Sequence, residues 1–320
     1  SSSSSSSASF SADEAGCEIV SPPLSTLEGI RQIAKVASIL ATLGADVNES
    51  CSLHVHVGCQ RPGGFTPRDL ANIVKAFVHF EPAMNLLTSE SRRQNKYAKS
   101  NMEVMSRVRG SRVSGDRVDF GDDAAAARER LRLSQRLFSE LDRRVGDADK
   151  DTAAARHDVV ALANGGMSSK PYTRHRYRKL NLQNVARTGT VEFRQGAPTL
   201  QGEQMALAIL TVVRMVKQAV EVEPVLTGET TGRECLSEMI RSGLYKPEPV
   251  LIKYLADRAE EMRVLNAKPL PPPTKKTAEV KQIFEWDGAG EGAAVAAAAA
   301  EAPAESAEAP AAPAADEAKA

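Results

Sequence analysis

The most regular alternation of apolar and polar residues in the chain lies at residues 51–58 (CSLHVHVG), and its two-residue period predicts a β-strand. Leucine and valine side chains occupy one face of this strand, and His54 and His56 occupy the other. Two imidazoles at this spacing lie about 7 Å apart on one strand face. Because the chain contains only five histidines, the pattern favours a functional face over two unrelated surface residues.

Two further extended segments are predicted to form an antiparallel hairpin. Residues 176–182 (RYRKLNL) and 189–194 (GTVEFR) are joined by a short polar connection, as in hairpins. In the second segment Glu192 and Arg194 share one face, while valine and phenylalanine occupy the opposite face. The division into an apolar and an ionisable face is the same as in the histidine strand.

A fourth strand is predicted at residues 16–21, and the two prolines that follow end it. Glu18 lies on the face opposite Cys17 and Ile19. Such a carboxylate either protects a sheet edge from aggregation or serves as a ligand for a metal ion or an ammonium group. The residues alone leave both interpretations open.

Helical periodicity accounts for most of the remaining chain and predicts helices over residues 26–43, 67–87 with a kink or interruption at Pro82, 123–145, 151–163, 201–221, 232–242 and 248–266. Together with the strands, these helices predict one α+β domain over residues 16–267, with a helical or lid insertion at about 90–165. The Ser-rich start at residues 1–15 is predicted to be disordered. The same holds for residues 268–320, a Pro-rich linker and a tail of Ala, Glu and Pro.

The polar, Arg-rich residues 90–122 predict a long loop with helical fragments. Beside a metal site, such a basic loop could close over a polyphosphate. A solvated surface loop is the simpler alternative.

Composition narrows the classes of function. Because 41 basic residues balance 41 acidic ones, no net field attracts nucleic acid or a membrane surface. The four cysteines fit neither a disulfide framework nor a CxxC zinc pattern. The chain contains no transmembrane run, and its Ser-rich start lacks the apolar core of a signal peptide. We therefore expect a cytoplasmic protein without nucleic-acid or membrane partners.

The ionisable faces of the predicted strands form a coherent set of ligands. Glu18, His54 and Glu192 supply the carboxylate and imidazole groups that bind Mg²⁺, Mn²⁺ or Zn²⁺. Arg194 adds a guanidinium on the same face as Glu192, and guanidinium groups bind phosphate oxygens bidentately. This set favours phosphoryl chemistry, and a purely structural Glu192–Arg194 salt bridge is the alternative.

Four segments, in this order, resemble successive motifs of the amidoligase family, which is common in fungi: residues 18–24 (EIVSPPL), 51–58, 177–182 (YRKLNL) and 189–194. The resemblance spans roughly residues 16–220, and the family is in turn similar to glutamine synthetase and the glutamate–cysteine ligases. It implies a curved antiparallel sheet that holds ATP and Mg²⁺ or Mn²⁺ on its concave face, with helices packed on the other. It also implies ATP-dependent amide formation through an acyl phosphate, from small-molecule or peptide carboxylates and amines.

The resemblance assigns roles to individual residues of the metal and phosphate site. His54, Glu192 and Glu18 correspond to metal ligands. Arg194 corresponds to the residue that stabilises the transferring phosphoryl group, and Glu192 and Glu18 complete the catalytic set.

The nucleotide-binding residues follow from the same resemblance. His56 corresponds to a residue that faces the nucleotide, and Asn181 and Arg178 correspond to further cofactor-binding residues. Lys179, next to Arg178, is a further candidate.

One departure from the family pattern concerns the start of the chain. The family opens with a strand that carries a Glu-x-Glu pair of metal ligands, whereas residues 1–15 contain only the adjacent Asp13 and Glu14. Either this strand precedes the chain or part of the metal site is lost. We therefore expect the 320-residue chain to be weakly active or inactive.

Two other classes of function stay open at this point. The first is a zinc hydrolase that uses His54 and His56 with Glu192 or Glu18. The second is a catalytically impaired interaction protein that keeps the fold and uses the Arg-rich residues 92–117 as a contact surface. Oligomeric state does not follow from the sequence.

Overall fold

The computed structural model describes residues 17–48, 50–59, 61–93, 95–106, 124–146, 153–167, 174–226, 228, 231–241 and 249–267. Within these ranges the chain is rich in helix and contains one small antiparallel sheet, which confirms the α+β prediction at this level. The predicted disordered start, the tail from residue 268 and residues 107–123 of the insertion lie outside the described residues.

The elements follow the order of the predicted ones. The strands are β1 (Leu53–Gly58), β2 (Leu180–Asn181) and β3 (Thr190–Gly196). The helices are α1 (Thr26–Thr42), α2 (Pro67–Leu86), α3 (Glu90–Arg93), α4 (Glu103–Ser106), α5 (Ala124–Val145), α6 (Ala153–Asn164), α7 (Val185–Thr188), α8 (Gly202–Glu221), α9 (Gly232–Arg241) and α10 (Pro249–Ala267).

The three strands of the described sheet are ordered β1–β3–β2, and both pairs are antiparallel. The predicted hairpin of β2 and β3 is therefore confirmed. The connection contains α7, and Gly189 ends that helix with a φ of +69°, a conformation that favours glycine.

The predicted strand at residues 16–21 is wrong for residues 17–21, which the structure describes without strand pairing. Glu18 is exposed there, and Ile19 and Val20 are 56% and 79% exposed. Alternation predicts a strand only where one face becomes buried. Pro22 and Pro23 also lack the N–H groups that a ladder requires.

The predicted strand at 176–182 is shorter than expected. Residues Arg174–Arg176 form a 3₁₀ turn. The next backbone groups bind another segment, because Lys99 N donates to Tyr177 O at 3.1 Å and Lys179 N donates to Lys99 O at 2.9 Å. Only Leu180 and Asn181 then pair with β3 as strand.

Helix α2 is the centre of the described fold. The side chain and backbone of Thr66 form a reciprocal capping box with Asp69 at its start. Pro82 lies inside the helix, so the predicted interruption there is wrong. The lost backbone hydrogen bond is offset by packing, since α2 contacts α5, α6, α8, α9 and α10.

The apolar face of the sheet packs on α2 and α8. Phe77 of α2 meets Phe193 of β3 edge-to-face, with ring centroids 5.8 Å apart. At the crossing of α1 and α8, a Cβ on Gly202 would lie 2.7 Å from the Ala34 backbone, so glycine permits the close contact. None of the described helices combines the length and the apolar character that crossing a membrane requires.

Candidate functional site

The register of the sheet aligns three polar residues in one row. His56 of β1 pairs with Glu192 of β3, and Glu192 pairs in turn with Asn181 of β2. Cross-strand partners project from the same face. The row therefore crosses all three described strands on the face opposite the Phe77–Phe193 contact.

An irregularity in the register lies next to this row. Leu53 pairs with Gly196 while Val55 pairs with Phe193, so β3 has one residue more than β1 at this point. The irregularity lies opposite His54 and includes Arg194. Such bulges change the direction of side chains and are common beside active sites.

Glu192 is the anchor of the site, because both of its oxygens have partners. Asn181 Nδ2 and Asn184 Nδ2 donate to Oε2 at 2.6 Å and 3.0 Å, and Arg194 Nη1 donates to Oε1 at 2.5 Å. Burial raises the pKa of Glu192, but Arg194, Asn181 and the histidines outweigh it and lower that pKa. The carboxylate is therefore charged and fixed.

Both histidines of β1 approach the same carboxylate oxygen. His54 Nδ1 lies 3.6 Å and His56 Nε2 lies 3.7 Å from Glu192 Oε1. Burial, and then the positive charge of Arg194, lower the pKa of His54 to about 4. The His54 ring is thus neutral at pH 7, and its Nε2 lies 3.0 Å from Ser52 Oγ.

The lowered pKa of His54 predicts a loss of stability in mild acid. An unfolded histidine takes up a proton near pH 6.5, whereas folded His54 resists it down to pH 4. This contribution is complete above pH 6.5 and is lost as the pH falls towards 4, by about 2–3 kcal/mol. Urea unfolding of the wild type and of His54→Gln at several pH values, with EDTA present, measures it. Between pH 7 and pH 4 the wild type should lose about 2–3 kcal/mol more than His54→Gln, and parallel curves would contradict the assignment.

Arg92 of α3 adds a second guanidinium to the site. From the sequence, this residue was expected only to be part of the Arg-rich loop at residues 90–122. It is 5% exposed, and its Nη2 donates to the backbone oxygen of Arg194 at 2.7 Å. Its Nε has no hydrogen-bond partner among the described residues. Burial, and then the charge of Arg194, lower the pKa of Arg92. The contact spans about a hundred positions of sequence, and no local pattern could have revealed it.

The charges of this cluster do not cancel. Arg92 and Arg194 are both buried cations, Glu192 is the carboxylate that pairs with Arg194, and the His54 ring is neutral. Within the described part of the chain, no carboxylate forms an ion pair with Arg92. The arrangement therefore has the character of an anion site.

The metal site expected from Glu18, His54 and Glu192 is not assembled in this form. In the described ranges no group of three or more His, Cys, Asp and Glu side chains is arranged to hold a metal ion. Arg194 occupies the Glu192 oxygen that faces both histidines. Glu18 is exposed in the segment before α1, and no hydrogen bond or ion pair joins it to the described parts of the histidine strand.

The remaining predicted residues are held by structural contacts. Arg178 donates from Nη1 to Ser100 O at 2.9 Å and lies 3.3 Å from Glu103 Oε2. Asn181 orients Glu192 through Nδ2, while its Oδ1 accepts from Asn164 Nδ2 at 2.9 Å. In this arrangement Asn181 positions the anchor carboxylate, a role that spacing in the sequence did not indicate.

Comparison with known proteins supplies the family. Residues 1–215 match the sequence model of the family described as "putative amidoligase enzyme". The chain belongs to the amidoligase family. No curated protein and no solved structure matches it. The resemblance of the four sequence motifs is thereby confirmed, and the amidoligase match covers the elements that build the site, from β1 to β3.

Proposed function

We propose that the protein is an ATP- and Mg²⁺-dependent carboxylate–amine ligase that forms an amide bond through an acyl phosphate. Its substrates are a small-molecule or peptide carboxylate and an amine, and its sheet is of the glutamine synthetase type. Membership of the amidoligase family supports a ligase. The use of ATP, the use of Mg²⁺ and the acyl phosphate intermediate are proposed in addition to family membership.

The observation that carries the proposal is the excess of buried positive charge beside Glu192. The Arg194 guanidinium pairs with Glu192, whereas the Arg92 guanidinium donates to the backbone oxygen of Arg194 and has no carboxylate partner among the described residues. A buried cation without a counter-charge is costly. Triphosphate or acyl-phosphate oxygens would supply that charge, and guanidinium groups bind them with charge-assisted hydrogen bonds.

The residues have separate roles in this proposal. Arg194, held by Glu192 on one side, presents its remaining N–H groups to the transferring phosphoryl group. Arg92 stabilises the same negative charge from the side of α3. The neutral His54 leaves the excess positive charge to the two arginines and offers hydrogen bonds to the nucleotide.

The fit to a metal ion is poorer than the fit to phosphate. The described residues form no three-ligand group, and imidazole is a weak ligand for Mg²⁺, which prefers oxygen donors. Mg²⁺ usually keeps waters and phosphate oxygens. We therefore propose that it enters with ATP, and no step is assigned to it here.

A zinc hydrolase built on His54, His56 and Glu192 receives no support from this geometry. Structural and catalytic zinc sites need at least three protein ligands around one point. Arg194 stands where the ion would have to be, against Glu192 Oε1.

Isotope transfer tests the acyl phosphate directly. With a carboxylate substrate labelled with ¹⁸O, attack on the γ-phosphorus and later displacement by the amine moves one labelled oxygen into inorganic phosphate. The reaction should be run at high protein concentration against a panel of amino acids and polyamines. Phosphate that contains no label would contradict the mechanism. Amide hydrolysis that requires zinc and no ATP would replace it.

Arg194→Lys provides a matched variant for the same assay. It keeps the charge and loses the planar fork that binds two oxygens at once. We expect it to lower formation of labelled phosphate by about tenfold. An unchanged rate would remove Arg194 from the site.

A further inference from the structure

A cavity lies on the apolar side of the sheet, opposite the face that carries His54 and Glu192. Strands β1 and β3 form one wall, and α2, α8 and α10 form the others. Its volume is about 50 Å³, which exceeds the space that one water molecule needs. Its walls are largely apolar, with Leu53, Val55, Met84, Leu87, Phe193 and Val212 among them.

One polar side chain in this wall has no partner. Gln195 of β3 lines the cavity and is 2% exposed. Among the described residues neither its Oε1 nor its Nε2 forms a hydrogen bond. A buried amide left without partners costs free energy. A bound molecule that completes these bonds would account for a glutamine at this position.

We propose that this cavity binds a small apolar molecule that carries a primary or cyclic amide, which pairs with the side chain of Gln195. The carboxamide of Gln195 presents one acceptor and a donor side by side. An amide whose N–H and C=O point the same way is its complement and forms two parallel hydrogen bonds. The apolar walls then take up the hydrocarbon part.

Most other polar groups of the wall already have protein partners, among them Thr199, whose Oγ1 donates to Gln204 Oε1 at 3.3 Å; the Tyr254 hydroxyl lies in the wall as well. Thr88 Oγ1 donates to Asn85 O at 3.2 Å, and Thr211 Oγ1 donates to Leu207 O at 2.8 Å. Arg258 Nη1 donates to Glu261 Oε2 at 2.6 Å. These threonine hydroxyls and this guanidinium already have protein partners. The site is separate from the arginine pair, and the proposal holds whether or not the ligase proposal does.

Benzamide and acetophenone form a matched pair of probes. They have nearly the same shape, and a methyl group in acetophenone replaces the amide NH₂. We expect the full chain to bind benzamide at least tenfold more tightly than acetophenone, as measured by titration calorimetry. Met84 lines the cavity, so labelling its methyl group with ¹³C reports by NMR whether the probe enters there.

Variants separate the role of Gln195 from that of the walls. Gln195→Leu removes the amide and should reduce the ratio of the two affinities to about one, while acetophenone still binds. Ala208→Phe should fill the cavity and abolish binding of both probes. Gln201→Leu makes the same change at an exposed position and should alter neither affinity. If Gln195→Leu does not fold, Gln195→Met, which is closer in shape, replaces it.

Three results would overturn the proposal. The first is a benzamide titration that leaves the Met84 methyl signal unchanged. The second is equal affinity for the two probes in the wild type, as expected if the cavity holds only water. The third is a benzamide preference that survives Gln195→Leu.

Discussion

Replacing Lys179 with methionine is expected to destabilise the fold by about 3–5 kcal/mol. Lys179 Nζ lies 2.9 Å from Glu81 Oε1, and both side chains are 0% exposed. Lys179 also donates to Asn85 Oδ1 at 2.7 Å. Without the ammonium group, the Glu81 carboxylate stays in the core with a hydrogen bond from Ser100 and no opposing charge. Urea unfolding at pH 7 measures the difference.

A second ion pair in the chain provides the control. Lys253 Nζ also lies 2.9 Å from its partner, Asp257 Oδ2, but the two side chains are 64% and 58% exposed. Lys253→Met should therefore cost less than about 1 kcal/mol. The double variant Lys179→Met/Glu81→Met should recover much of the loss, because no charge stays buried. A loss below 1 kcal/mol in Lys179→Met would show that solvent reaches Glu81.

The helices of this fold were largely predictable because their signals are local. The capping box of α2 and the apolar stripes of α2 and α8 are local features, and the structure forms both helices close to the expected bounds. What periodicity could not show is that α2 is buried on nearly all sides. His79 of this helix, for example, is buried and lies 3.0 Å from Glu238 Oε1.

Burial on every side also explains the polar residues in α2. Lys75, Glu81 and Asn85 each meet partners from other elements, such as Asp142 for Lys75 and Lys179 for Glu81. An amphipathic pattern indicates which residues avoid water. It contains no information about which polar residues find partners far away in sequence.

The candidate site also has features that local sequence patterns predict and features that depend on contacts between distant residues. Alternation placed His54, His56, Glu192 and Arg194 on ionisable strand faces, and strand pairing brings those faces together. The register that aligns Asn181 with Glu192 depends on where β2 begins, which the 3₁₀ turn before it decides. Prediction from the sequence therefore reached His54, His56, Glu192 and Arg194, but neither Arg92 nor the contacts among these side chains.

Arg92→Leu is expected to weaken binding of ATP with Mg²⁺ by about 10- to 100-fold, which corresponds to about 1.5–3 kcal/mol for a hydrogen bond to a charged group. The partners of Arg92 in the described structure are the reason for this expected loss. It donates to the backbone of Arg194, and its Nε atom is buried without a hydrogen bond. A phosphate oxygen would complete this guanidinium. Titration calorimetry with a non-hydrolysable ATP analogue measures the affinity without requiring turnover.

The free energy of unfolding distinguishes this role from a structural one. A buried cation that has no carboxylate partner is a cost to the ligand-free fold, so Arg92→Leu should leave stability unchanged or raise it while affinity falls. Arg187→Leu removes an exposed cation from α7 and should change affinity less than threefold.

If Arg92→Leu instead unfolds more easily and binds the analogue as before, Arg92 stabilises the fold through its hydrogen bond to Arg194 and does not bind the nucleotide. The anion site would then lose the observation that supports it. Opposite changes in stability and affinity would be hard to explain by any role other than binding an anion, because a structural cation stabilises the fold that contains it.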